Sequence, residues 1–75
     1  MVIERNDLVT FDDDQAYLVV SKMMNGFLEY YYLINKDNVS DYKFCYLDGD
    51  DMVEVLNEKS IADLTILFGL NTAIN

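Results

Sequence analysis

The chain has no histidine and no proline, only three glycines, and a single cysteine in 75 residues. Without histidine it lacks the side chain that most often serves as a general base near neutral pH. Ser21, Ser40 and Ser60 lie outside any nucleophile-elbow context, and no glycine-rich phosphate loop is present. Cys45 alternates into a strand-like apolar run and reads as a buried, inert thiol. These absences predict a protein that is not an enzyme, with no catalytic residues and no cofactor. Scarce glycine and absent proline exclude long flexible linkers and low-complexity segments. One cysteine excludes an internal disulfide and points to a reducing compartment. No apolar run approaches the roughly 20 residues that span a bilayer. The opening MVIERNDLV does not follow the basic-then-apolar order of a secretory signal. The expectation is a soluble cytoplasmic protein.

Positive charge is also scarce. Five basic residues face 14 acidic ones, for a formal net charge of −9 and a sequence pI near 4.1. Such a surface repels nucleic acid and anionic lipid and favours basic proteins or cations. Direct nucleic-acid binding and membrane association are therefore not expected, and a basic protein partner is. Apolar residues, by contrast, make up 52% of the chain, enough for one core in a single domain spanning 1–75.

That core is organised by two strand-like runs, AYLVVSKMM over 16–24 and FLEYYYLINK over 27–36, which meet at Asn25-Gly26. Asn-Gly predicts a hairpin with a type I′ turn, because both central residues of that turn need positive φ. The implied register sets Met24 opposite Phe27 and Lys22 opposite Glu29. One face then carries Leu18, Val20, Tyr31 and Leu33; the other carries Tyr17, Val19, Tyr30, Tyr32 and Ile34 and, being free of charge, becomes the main core surface. Further short strands are predicted over 8–11, 41–47 and 52–56, divided by polar turns at 12–15, 35–38 and 48–51. In the fourth strand Tyr42, Phe44 and Tyr46 point one way and Lys43, Cys45 and Leu47 the other. From 58 to 68 the period becomes helical, with Ile61, Leu64 and Phe68 on one stripe, Asn57 or Ser60 as the cap and Gly69 as the stop. The fold class is mainly β (α+β): a five-stranded antiparallel, partly closed SH3-like barrel with one C-terminal helix. The helix would cover the uncharged base of the first face or plug one end of the barrel. An open sheet with the helix lying across it is the competing arrangement.

Three segments, NDLVTFDDDQAYLVVS from Asn6, NGFLEYYYLINKDN from Asn25 and YLDGDDMVEV from Tyr46, carry a resemblance. With their short D-x-V-T-apolar opening, tyrosine-led second strand, hairpin and late Asp-Gly turn, they resemble a class of small uncharacterised bacterial and phage proteins. The resemblance implies a small β-barrel and no particular activity.

Recognition is expected to fall on the carboxylates. Asp12, Asp13 and Asp14 form one cluster and Asp48, Asp50 and Asp51 another, with Glu54 close behind in sequence. The spacing misses the twelve-residue calcium loop, so no metal ligands are assigned; solvated turn aspartates are the main reading and weak cation binding a lesser one. The leading expectation is an acidic interaction module whose carboxylates engage a basic groove, in its sharpest form an inhibitor that imitates nucleic acid. Tyr30-Tyr31-Tyr32, with Tyr17, Tyr42 and Tyr46, reads as core and rim, because a base-stacking platform would need the lysines and arginine gathered beside it. Ile66, Leu67 and Leu70 fall off the helical stripe and form a candidate apolar interface. The alternative function is thus a self-associating scaffold module, with a homodimer as its simplest form.

Overall fold

The computed structural model describes residues 2–11 and 13–70. Five strands precede one helix: β1 (Leu8–Thr10), β2 (Ala16–Asn25), β3 (Leu28–Asn35), β4 (Asn38–Asp48), β5 (Asp51–Glu54) and α1 (Glu58–Leu67). Every strand pairs antiparallel with its neighbour in the chain, so the spatial order is the sequence order. Val9 on β1 and Met52 on β5 pack against the same buried cluster although they stand on opposite edges of the sheet. The sheet therefore curls around that cluster into a half-barrel, as the mainly β reading anticipated.

The central hairpin forms in a different register from the one predicted. Its two-residue loop is Gly26-Phe27, with Asn25 opposite Leu28 and Met24 opposite Glu29. Gly26 has a φ of 67° and Phe27 is not among the positive-φ residues. That is the type II′ pattern, in which glycine alone takes the left-handed conformation, whereas a type I′ turn over the same two residues would demand it of Phe27 as well. Lys22 accordingly pairs with Tyr31, not Glu29.

A bulge between Val19 and Ser21 then shifts the pairing by one residue, so that Val19 meets Leu33 and Tyr17 meets Asn35. Because side chains alternate with a period of two, this slip puts Tyr17 and Val19 on the face of Tyr31 and Leu33, not on that of Tyr30 and Tyr32. The inner face of the half-barrel consequently holds Ile3, Tyr17, Val19, Tyr31, Leu33 and Cys45. It also holds the charges, contrary to the expectation of an uncharged main core surface: Lys22 and Glu29 pair there, as do Lys43 and Glu54.

The outer face belongs to the helix. Phe44, Val55 and Leu64 form its buried centre, flanked by Tyr30, Tyr32, Tyr46, Ile61 and Phe68. Rings of Phe44 and Phe68 stack with centroids 5.7 Å apart, and Tyr32 lies 5.5 Å from Phe44. Thus the predicted stripe of Ile61, Leu64 and Phe68 does face the sheet. It covers the tyrosine side, however, and neither the base containing Leu18 and Leu33 nor an end of the barrel. Asn57 is the N-cap, its side chain accepting from the Ser60 N–H at 3.0 Å. At the other end the Leu70 N–H donates to Thr65 O and the Gly69 N–H to Ile66 O, a Schellman closure made possible by the φ of 73° at Gly69.

Candidate functional site

Curling leaves β1 and β5 facing each other without pairing, and between them lies a cleft of about 860 Å³. Its walls include Leu8, Val9 and Thr10 from β1, and Met52 and Glu54 from β5; Ile3 and Phe11 add apolar surface. Carboxylates dominate its charge. Asp7, Asp13, Asp50, Asp51 and Glu54 line it, against Lys43 alone among the described basic residues.

Four of the predicted acidic residues are thereby brought together: Asp13 from the turn after β1, Asp50 from the turn before β5, and Asp51 and Glu54 from the two ends of β5. Asp14, in the turn after β1, and Asp48, at the end of β4, are exposed but do not line the cleft. Asp12 lies outside the described residues. Asp7 belongs to the site and was not singled out from the sequence, where it reads as punctuation before a strand. Its backbone carbonyl accepts from Val19 N–H and its carboxylate from Glu4 N–H at 2.8 Å, which is how an isolated acid comes to be held at the mouth.

Among the described residues, three of the four lysines pair away from this rim. Lys22 pairs with Glu4 and Glu29, Lys36 with Asp37, and Lys59 with Asp63. Of the described lysines Lys43 enters the cleft, bonded to Glu54 at 3.2 Å with its side chain 16% exposed. Burial works against the Lys43 charge, but the hydrogen bond and charge of Glu54 outweigh it and its pKa rises above the ordinary value. The acids are also too dispersed to converge on a point. Among the described residues no group of three or more His, Cys, Asp or Glu side chains is placed to hold a metal ion.

Beside Lys43 runs a part-buried network of polar side chains. Tyr17 donates its hydroxyl to Asp41 at 2.7 Å, and Asn35 donates to Asp41 and to Gln15. The Tyr17 hydrogen bond, with help from Asn35 and Lys43, outweighs burial and holds the Asp41 carboxyl below its usual range; the same bond, with burial, raises the Tyr17 pKa. Tyr31 donates to Glu29, and burial together with that carboxylate raises its pKa strongly. Burial, followed by the Glu54 charge, pushes the Cys45 thiol up to about 12. These groups are held in their ordinary protonation states at neutral pH, which suits a structural role.

Of the predicted apolar interface, Ile66 and Leu67 are 63% and 42% exposed, whereas Leu70 folds back and packs beside Phe44 and Leu64. The Schellman turn redirects the chain there, so helical periodicity extended through Leu70 misplaces it. Phe27, fully exposed at the tip of the β2–β3 hairpin near the exposed Met24, is a further apolar surface, whereas the predicted register pairs it with Met24 in the ladder.

No protein family, curated protein or solved structure matches this chain.

Proposed function

We propose that this protein is a non-enzymatic, acidic interaction module that binds a basic protein partner at the open side of its half-barrel. The observation that carries the reading is the convergence of Asp7, Asp13, Asp50, Asp51 and Glu54 on one cleft, where Lys43 is the sole basic side chain among the described lining residues. Dispersed carboxylates on a concave rim suit a partner with several spaced cations better than a single ion. In its sharpest form the module imitates nucleic acid, occupying the basic groove of a nucleic-acid-binding protein as an inhibitor or regulator of the phage or mobile-element kind. An overall charge of −9 supports long-range attraction to such a groove.

Salt provides the test. Exposed charges are screened over roughly 10 Å at 0.1 M and 3 Å at 1 M, so affinity for a lysine-rich peptide should fall steeply across that range. The double variant Asp13→Asn, Asp51→Asn should weaken binding at low salt and flatten the dependence. An affinity that is indifferent to salt sinks the proposal.

Exposure of Ile66 and Leu67 favours a second reading, a scaffold module that self-associates through α1. Sedimentation over a wide concentration range tests it. A dimer dispersed by Leu67→Asp supports that reading, and a strict monomer removes it.

A further inference from the structure

The two edges that wall the cleft offer backbone as well as charge. In an antiparallel ladder alternate residues exchange hydrogen bonds with the neighbouring strand, and those between them turn their N–H and C=O outward. Val19 N–H donates to Asp7 O and Phe11 N–H to Gln15 O, so Leu8 and Thr10 direct their backbone groups away from β2. Likewise Val55 N–H donates to Phe44 O, which turns the groups of Met52 and Glu54 away from β4. No bond within the described chain takes up these outward groups, and all four residues line the same cleft.

We infer that the cleft accepts an extended, cationic peptide segment as an additional β-strand, pairing with the free edge of β1 or β5. This rests on the acidic-module reading and specifies its mode: backbone pairing supplies register, and the rim carboxylates choose the sequence. Charge names the occupant. Another copy of this chain would bring its own excess of acids to a rim already lined by five carboxylates and one lysine, whereas a strand with alternate lysines or arginines sets cations towards the rim and apolar side chains towards Ile3, Phe11 and Met52. A chain entering by this route forms the ladder bonds that peptide-binding domains use when they add a strand to an exposed sheet edge.

The test uses the full chain, isotope-labelled, and two hexapeptides of alternating Lys and Val, one ordinary and one N-methylated at every backbone nitrogen. Both carry the same charge, but only the first can donate backbone hydrogen bonds. At low salt the ordinary peptide should bind and slow amide exchange at Leu8, Thr10, Met52 or Glu54, while the methylated peptide binds at least about tenfold more weakly, as expected for the loss of two or more backbone bonds. Equal affinities, or binding without protection at any of those amides, overturn strand addition and leave acidic recognition standing. Failure of both peptides to bind at low salt overturns the two together.

Discussion

Lys43 on β4 and Tyr17 on β2 meet across the inside of the half-barrel, the ammonium 5.1 Å from the centre of the Tyr17 ring, although a whole strand separates β2 from β4 in the sheet. The two long side chains span β3, about 10 Å from β2 to β4. The same ammonium lies 5.5 Å from the Phe11 ring and 3.2 Å from the Glu54 carboxylate, so one cation joins the aromatic floor of the cleft to its acidic wall.

Replacing that cation should separate stability from recognition. Lys43→Met keeps the stem but leaves the partly buried Glu54 unpaired, which should cost about 1–3 kcal/mol. Urea unfolding measures the loss, and adding Glu54→Gln should return most of it, since the two residues act as a pair. Lys43→Met also makes the cleft more negative, so a lysine-rich peptide should bind it more tightly. Unchanged stability in the single variant would show the Lys43 contacts to be incidental.

Alkaline pH should weaken the fold before any exposed phenol would account for it. Tyr17, Tyr31 and Tyr32 all have folded pKa values above their ordinary 10.0, and Cys45 is raised from 9.0 to about 12. For groups whose pKa is raised on folding, the native state retains protons that the unfolded state has released. Stability is then fully present below the unfolded value and falls as pH climbs through the folded one. Urea midpoints should therefore decline from about pH 9 upward, and tyrosinate absorbance should show phenols that ionise late in the native protein and normally in denaturant. Asp41 has the opposite sign: its pKa is depressed, so its contribution is present above 3.8 and is lost as the pH falls through its folded value.

Asn35 is 3% exposed and has every side-chain bond engaged. Its amide N–H₂ donates to Gln15 and Asp41, and its oxygen accepts from the Asp37 and Asn38 N–H groups. Asn35→Ala should destabilise by about 1–3 kcal/mol because a buried amide making four hydrogen bonds is lost and water replaces them only in part, and it should restore the Asp41 carboxyl towards its usual range. Denaturant unfolding and a carboxyl titration by NMR check the two effects; a neutral variant would mean that water replaces the amide without cost.

Cys45 is fully enclosed and its thiol stays protonated at neutral pH. An aromatic disulfide reagent should modify it only as fast as the protein opens, and at the rate of a free thiol once urea unfolds the chain. Rapid labelling of the native protein would contradict the enclosed inner face.

Local signals carried much of this architecture. Alternation in DYKFCYL separates Tyr42, Phe44 and Tyr46 from Lys43, Cys45 and Leu47, and the structure keeps that division. Asn35 punctuates its turn by bonding the Asp37 N–H, and Asn57 and Gly69 bound the helix as their side-chain and backbone preferences require. The same kind of signal failed at Asn25-Gly26. A type I′ turn would use Asn25-Gly26 and a type II′ turn Gly26-Phe27, and moving the loop by one residue shifts the register. Leu70 was misread for a related reason, since a helical period says nothing about the turn that ends it.

The number of strands, their order, the closing helix and the excess of carboxylates were decided by the amino-acid sequence alone, because each depends on preferences expressed within a few neighbouring residues. The bulge after Val19, the side of the sheet that each tyrosine faces, the reach of Lys43 to Tyr17 and the meeting of Asp7 and Asp13 with Asp50, Asp51 and Glu54 were decided only by tertiary structure. Each depends on strand register or on how far the sheet twists and curls as its inner face packs, a cooperative outcome of contacts between residues remote in sequence. Acidity belongs to the chain, and the concave surface that gathers it belongs to the fold.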